Sequence, residues 1–473
     1  MKKFTKILLI GCLLVTVSCN NWLDVDPKSQ VKDKDLFASE MGFKEALSGV
    51  YSLMTKEALY GKELTFGWLG VLGQEWTSVP YNYEDDQKYD FENAASEVRI
   101  DSVWTGLYNA IANANKLLKE LEGKENLFSG DNYSIIKGEV LALRAYLHFD
   151  LLRIFGASCT VGMERIAIPY VTEYAPTIFP QEKVGDFVGK VLKDLQDAAK
   201  CLENDPILTG RTVSEIDDNG YLMNRQVHLN YYAVKGLMAR VYLYKGDYAN
   251  AEVCAKEVIG SGCFEWVKQE NLTNESVADL TFSTEHLFAL NIVTLGNIVD
   301  KYLDGGNNSF ALEESRLSEY YGSSYDYRYL YLFKTGVGMS NTLRYLKKYD
   351  QLESVSWAQS YRNKLPLICL PEMYYILAEC RYHSSGDALE PLNEVCRHRG
   401  VADLSEADLS AFETLLLAEY RKEVIGGGQL FFQYKRLNRS VVPGTDVDLA
   451  GEGRYVIPMP KEELENPGWV SNQ

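Results

Sequence analysis

The feature that most limits what this chain can fold into is a recurrence of apolar residues at three- and four-residue spacing. The blocks are too long for strands and too interrupted by charge for membrane spans. Trp104, Leu107, Tyr108, Ile111 and Leu118 make one such face. Ile135, Leu141, Leu143, Ala145, Leu147, Leu151 and Ile154 belong to a helix that Gly156 is placed to end. Val188, Val191, Leu192, Leu195, Ala198 and Leu202 make a third face, with Pro206 beyond it. Residues 231–244, 249–259, 371–382 and 389–398 continue the series.

Several of these blocks come in pairs joined by short Gly-Asp turns. In Ala239-x-x-Tyr242-x-x-x-Gly246-Asp247-Tyr248-x-x-Ala251 the small residues at 239 and 251 let two antiparallel helices approach, and Tyr242 fills the groove between them. That spacing resembles one tetratricopeptide unit. A second unit is legible in residues 373–381, Gly386-Asp387 and Leu392-Asn393. The expected fold is therefore mainly α: a tetratricopeptide-like helical repeat scaffold (an α-α superhelix) with a loop-rich variable lobe and a few short strands. Helical repeat elements are expected at about 33–59, 101–156, 181–260 and 366–436. Two regions break the pattern, about 60–100 with Gly61, Gly67, Gly70 and Gly73, and about 260–350 with Asp304-Gly-Gly-Asn-Asn308. Both read as long loops with some short strands, and long structured loops are commonly functional.

The start of the chain sets its address. Lys2, Lys3 and Lys6 precede an uncharged apolar run at residues 7–17, which ends Val15-Thr-Val-Ser-Cys19. A basic start, a short apolar run and small residues before a cut describe a secretory signal peptide over residues 1–18. The cysteine at the cut resembles a lipobox, with Val15 where Leu is usual, so Cys19 is the expected lipid attachment site. The run of about 11 residues falls short of the roughly 20 that span a bilayer. Removing residues 1–18 takes three lysines and no acid, so the formal charge moves from −18 to −21. Such acidity disfavours nucleic acid and anionic headgroups as partners. It leaves acyl chains as the membrane anchor.

Enzymatic chemistry finds little support. His148, His228, His286, His383 and His398 form no metal-ligand spacing, and Gly426-Gly-Gly428 lacks the Lys-Ser/Thr of a phosphate loop and reads as a helix-ending turn. Asp304, Asn307 and Asn308 show no EF-hand spacing for calcium. Cys159, Cys201, Cys254, Cys263, Cys369, Cys380 and Cys396 are odd in number and irregular in spacing, indicating neither a zinc site nor a disulfide framework. A Cys380–Cys396 bridge across a helical hairpin is a minor alternative. No cofactor and no metal is expected.

Five blocks resemble the SusD/RagB outer-membrane lipoproteins. They are Leu141-Ala-Leu-Arg144-Ala-Tyr-Leu-His148-Phe-Asp150-Leu-Leu-Arg153-Ile-Phe-Gly156; Leu370-Pro-Glu-Met373-Tyr-Tyr-Ile-Leu-Ala378-Glu379 with Leu392-Asn393-Glu-Val-Cys-Arg397; Glu419-Tyr-Arg421-Lys-Glu423, Gly426-Gly-Gly428 and Phe431-Phe-Gln-Tyr434-Lys-Arg436; Asp326-x-Arg328; and Ile457-Pro-Met-Pro460 with Asn466-Pro467. They stand in the family's order across residues 20–473. Arg381 and Gly427 depart from its usual residues within helix or turn. The resemblance implies one SusD/RagB-like domain over 19–473, lipid-anchored through Cys19 to the outer membrane of a Gram-negative bacterium and facing the exterior. It implies a partner, a SusC-type TonB-dependent transporter, and an oligosaccharide ligand; the RagB branch implies peptides instead. A lipid-anchored glycan hydrolase is the more remote alternative, and the expected role is not enzymatic.

An oligosaccharide binder needs flat apolar platforms edged by amides and carboxylates, which Trp and Tyr supply with few torsions to freeze. The chain has 32 Tyr and 7 Trp. Trp104, Tyr108, Tyr242 and Tyr374 fall in helical register and read as core. The ligand-contact candidates are the non-helical Trp68, Trp76, Tyr81, Tyr83 and Tyr89, then Tyr302, Tyr320 and Tyr321 beside Asn307 and Asn308. Packing of loops on the scaffold is the competing reading for each. Alanine at Trp68 or Trp76 is expected to weaken binding without unfolding the protein. Arg144, Asp326 and Arg328 read as structural. The alternation in residues 325–331 suggests an extended segment with Asp326 and Arg328 paired on one face.

Overall fold

The computed structural model describes residues 34–274, 278–336, 342–351 and 361–472. The signal peptide and Cys19 lie outside the described residues. Ten helices form the scaffold: α1 (Glu40–Met54), α2 (Ala94–Leu121), α3 (Asn132–Phe155), α4 (Val184–Cys201), α5 (Tyr231–Lys245), α6 (Tyr248–Gly260), α7 (Leu370–His383), α8 (Leu389–His398), α9 (Phe412–Val424) and α10 (Leu430–Arg436). Among the described residues, no helix is long and apolar enough to cross a membrane.

The helices pack in sequential antiparallel pairs, α2 on α3, α3 on α4 and α5 on α6, with α6 carrying the series on to α7 and α8. Close approach needs small residues. A Cβ on Gly138 of α3 would stand 2.7 Å from Leu202 Cγ and 3.1 Å from Ala198 O at the end of α4. The two Gly-Asp turns work as expected. Gly246 takes φ +80° to end α5, and Asp247 accepts from Asn250 N to cap α6. Asp387 accepts from Glu390 N at the start of α8. Ala239 and Ala251 are fully buried between the paired helices.

Helix α3 is the axis of the molecule, buried without interruption from Gly138 to Phe155. A helix apolar all round would carry no information about register, but this one holds Glu139, Arg144, His148, Asp150 and Arg153, each with at least one hydrogen-bond partner. Glu139 accepts from Arg225 Nη1 at 2.6 Å and sits 2.8 Å from His228 Nδ1, and the Arg225 and His228 charges hold its carboxyl down at about 2 despite burial. Arg144 grips Asp194 with Nε and Nη2, each at 2.7 Å, and donates to Asn115. His148 is neutral: burial lowers its pKa to about 3, and Nε2 accepts from Val171 N while Nδ1 faces Arg144 O. Gly156 ends α3 as expected, in extended rather than left-handed backbone, and space is what calls for glycine there: a Cβ would meet Leu152 Cδ1 at 2.6 Å.

Two small sheets lie in the 260–370 part of the chain. Strands β1 (His286–Asn291) and β5 (Lys364–Cys369) pair antiparallel, and β4 (Leu343–Leu346) sits between β2 (Leu312–Glu313) and β3 (Phe333–Thr335). The other non-helical region differs from expectation. Residues 60–100 contain short helical turns, Trp68–Leu72, Tyr81–Tyr83 and Glu84–Gln87, and their one strand-like contact among the described residues is a bridge from Ser78 to Ala311. Helix α2 begins at Ala94 rather than near 101, because the Asn93 side chain accepts from Ala95 N and Ser96 N at 3.0 Å each.

Residues 325–331 are also not extended. Asp326 caps a short helix (Tyr327–Tyr331) by accepting from Arg328 N at 2.9 Å, and the same carboxylate takes Arg328 Nη2 at 2.7 Å. The pairing was legible and the backbone was not. Fully buried Arg328 goes on to Glu419 and Glu423 of α9, and Glu423 is shared with Arg399, which also holds Glu285. This chain of charges fastens the loop-rich part to α9. The cysteines among the described residues, Cys380 and Cys396 included, are unpaired, and burial pushes both of those thiols up to about 12. Gly426 and Gly428 take positive φ in the turn between α9 and α10, where a Cβ on Gly428 would lie 2.6 Å from Leu64 O.

Candidate functional site

Six of the ten expected ligand residues are core. Trp68 is fully buried and its Nε1 donates to Asp86 at 3.0 Å. Trp76 donates to Phe66 O at 2.7 Å, Tyr83 to Glu63 at 2.8 Å, and Tyr89 to Leu72 O at 2.8 Å. Their rings are covered as well. Phe310 meets Tyr83 at 5.1 Å and Trp76 at 6.0 Å, and the Arg99 guanidinium lies 3.9 Å over the Tyr83 ring. Tyr302 donates to Glu57 at 2.8 Å and Tyr321 to Lys422 O at 3.0 Å, both from buried positions. A ring with covered faces and a committed polar tip has nothing to offer a sugar, so these six are corrected to packing residues.

The other four remain at the surface. Tyr81 is 86% exposed, and Asn307 and Asn308 are exposed on the turn after Tyr302. Tyr320 is half-buried under the Arg421 guanidinium, 4.5 Å from its ring. Asp304 is engaged by Lys334 at 2.8 Å, and among the described residues no group of three His, Cys, Asp or Glu side chains is placed to hold a metal ion.

The structure assembles a different aromatic site. A groove of about 400 Å³ runs between the first half of α2, the segment 169–179 and the C-terminal segment 463–469. Its walls are Trp104, Tyr108, Phe179 and Trp469, and its edges carry Asn109, Glu463 and Asn466. The i,i+4 spacing places Trp104 and Tyr108 on one face of α2, ring centroids 4.9 Å apart. Thr105 and Asn109, one residue on from each, form an exposed polar row alongside. Trp469 follows Gly468, which takes φ +84°, and its ring reaches within 6.5 Å of Trp104.

The indole and phenol tips in the groove are anchored, as is Asn466. Trp104 Nε1 donates to Glu463 Oε1 at 2.9 Å, Asn466 Nδ2 to Glu463 Oε2 at 2.8 Å, and Trp469 Nε1 to Phe179 O at 3.2 Å. Tyr108 donates to Pro169 O at 2.9 Å, and burial together with the nearby Glu463 holds its phenol well above the usual range, so it stays neutral. The half-open rings of Tyr108 and Trp469 are thus fixed platforms, and Trp104, 4% exposed, backs them from the core. Fixed platforms lose little side-chain entropy on binding. Glu463 is the one carboxylate in the lining, whereas glycoside hydrolysis generally uses a pair of them about 5–10 Å apart. The arrangement suits binding.

Sequence reasoning placed Trp104 and Tyr108 in the core, which holds for Trp104 but not for half-open Tyr108, and did not single out Phe179, Glu463 or Trp469. The available signal was the Trp-x-x-x-Tyr spacing with Thr105 and Asn109 beside it. Nothing in the sequence pairs α2 with residues some 360 positions later.

A family model described as starch-binding, associating with the outer membrane, and named SusD-like, matches residues 21–243. SusD-like protein P38 of Formosa agariphila is 24% identical over 269 residues, covering 56% of this chain and 47% of that protein, so the chain spans about half the length of this curated relative. A SusD superfamily protein of Bacteroides thetaiotaomicron superposes with a TM-score of 0.74 at 21% identity, covering 92% of this chain and all of that one. A laminarin-binding SusD-like protein superposes with a TM-score of 0.65 at 18% identity, over 91% of this chain and all of that one. The mainly helical fold is therefore shared along nearly the whole chain.

Proposed function

This chain belongs to the SusD/RagB family, and from that premise we propose that it is a cell-surface lipoprotein that binds oligosaccharides and passes them to a SusC-type TonB-dependent transporter. The family description names starch binding and the outer membrane, and one structural neighbour is named for binding laminarin, a glucan. Those similarities support a glycan ligand. Acylated Cys19 is the proposed anchor, and the role is capture rather than catalysis.

The observation that carries the reading is the groove itself. Indole and phenol faces accept the C–H faces of pyranose rings, while Asn109, Asn466 and Glu463 stand at the edges where hydroxyls need partners. The volume of about 400 Å³ takes part of an oligosaccharide, and the groove is open enough for the rest to extend. Isothermal titration of the mature protein against gluco-oligosaccharides of α and β linkage, with peptides of matched size, tests the reading. Expected is saturable binding of at least one glycan, displaced by alteration of Trp469. Binding of peptides alone would replace the ligand class. Reducing ends released at catalytic protein levels would overturn the non-enzymatic role.

A further inference from the structure

We propose that a second cavity, distinct from the groove, binds an acidic sugar through its carboxylate. The cavity, about 450 Å³, lies beyond the C-terminal end of α3, walled by Phe91, Tyr455, Leu449 and Val456. It shares no lining residue with the groove.

The chain as a whole is strongly acidic, at −18, yet this lining carries three basic side chains, Arg165, Lys435 and Arg454, against one acid, Glu452. Two deep polar groups line it, one of them unused. Ser158 lines the cavity at 3% exposure, and its Oγ has no hydrogen-bond partner. A buried hydroxyl left unpaired costs on the order of 1–3 kcal/mol, and an unpaired group of this kind marks a place for a water or a ligand. Lys435 is 1% exposed and donates to Arg153 O at 2.7 Å and to Ile154 O at 3.1 Å. Burial and the neighbouring Arg153 hold the Lys435 pKa well below the usual lysine range; Arg165 and Arg454 keep their charge at any working pH.

Arg165 is exposed at the cavity and forms no ion pair among the described residues. Arg454 meets Glu452 at 3.3 Å, both about half exposed, a weak surface pair that a ligand carboxylate can replace. Planar guanidinium groups match a carboxylate in bidentate geometry. The size and the walls then select the rest of the ligand. A bare inorganic anion leaves most of 450 Å³ empty and gains nothing from Phe91 and Tyr455, whereas a pyranose ring fills the space against them. A hexuronate satisfies both ends, with ring hydroxyls in reach of Ser158.

The test is calorimetric titration of the mature protein with sodium glucuronate, glucose and inorganic phosphate in parallel. Expected is 1:1 binding of glucuronate, about tenfold weaker in Arg165→Ala and in Arg454→Ala and weaker again as salt rises, with glucose silent. Ser158→Ala is expected to lose a few-fold in affinity with a melting temperature no lower than the parent's, which avoids Lys435, whose removal would uncap α3. Trp469→Ala is expected to leave glucuronate binding intact, so the groove and this cavity fail separately. Glucuronate that does not bind, glucose or phosphate that binds as tightly, or arginine variants of unchanged affinity would each overturn the assignment.

Discussion

Two aromatic clusters in this molecule are built from the same residue types and do opposite things. In the 60–100 stretch, Trp68, Trp76, Tyr83 and Tyr89 each pin a polar tip to a buried acceptor. Along α2, Trp104, Tyr108 and Trp469 do the same with Glu463, Pro169 O and Phe179 O. An anchored tip therefore does not tell a binding platform from a core residue. What differs is coverage of the ring faces. Phe310 and Arg99 close over the first cluster, whereas the C-terminal segment crosses α2 on one side and leaves the other side open.

The largest effect is expected where the comparison is easiest to break. Trp68→Ala and Trp76→Ala should each cost about 3–5 kcal/mol of stability, as large-to-small changes in a sealed core do. Chemical denaturation would show a lower midpoint at similar slope. A variant that kept its midpoint and lost glycan affinity would return these residues to the binding surface.

A second effect separates the clusters by pH. Glu75, beside Trp76, is buried with Oε1 unpartnered and Oε2 accepting only Gly426 N at 2.7 Å, and burial raises its pKa to about 8. Between the ordinary carboxylate value near 4.5 and about 8, the folded protein keeps a proton that the unfolded chain has released. Stability from this group is therefore fully present below that window, falls as pH rises through it and levels off above, by at most about 1.4 kcal/mol per pH unit. Glu75→Gln should flatten the fall between pH 5 and 9 in thermal melts. An unchanged slope would remove Glu75 as its cause.

How much of this was legible follows from the range of the interactions concerned. Helices α3, α5, α6, α7 and α8 were readable because their apolar spacing and Gly-Asp turns are local. The Asp326–Arg328 pair was readable, but its backbone was decided by a cap, which a seven-residue alternation of tyrosines hides. Gly61, Gly67, Gly70 and Gly73 mimic loop markers while serving as points of close approach. A Cβ on Gly70 would sit 2.7 Å from Trp76 Nε1. The groove was out of reach, since it joins α2 to two segments that no local pattern connects to it.

Two smaller effects sharpen the open side of the comparison. Trp469→Ala removes a half-exposed platform, so glycan affinity should fall about tenfold, or about 1.4 kcal/mol, while the denaturation midpoint moves little. Glu463→Gln is subtler. The carboxylate holds Trp104 Nε1 and Asn466 Nδ2 at once, and an amide keeps one acceptor oxygen and replaces the other with a donor. If the groove binds by fixed geometry, loosening either neighbour should cost a few-fold in affinity, about 0.5–1 kcal/mol, expressed as faster dissociation with association unchanged. A Glu463→Gln protein that binds as tightly as the parent would mean that the rings alone set affinity, and that the anchoring shared by the two clusters matters for folding and not for recognition.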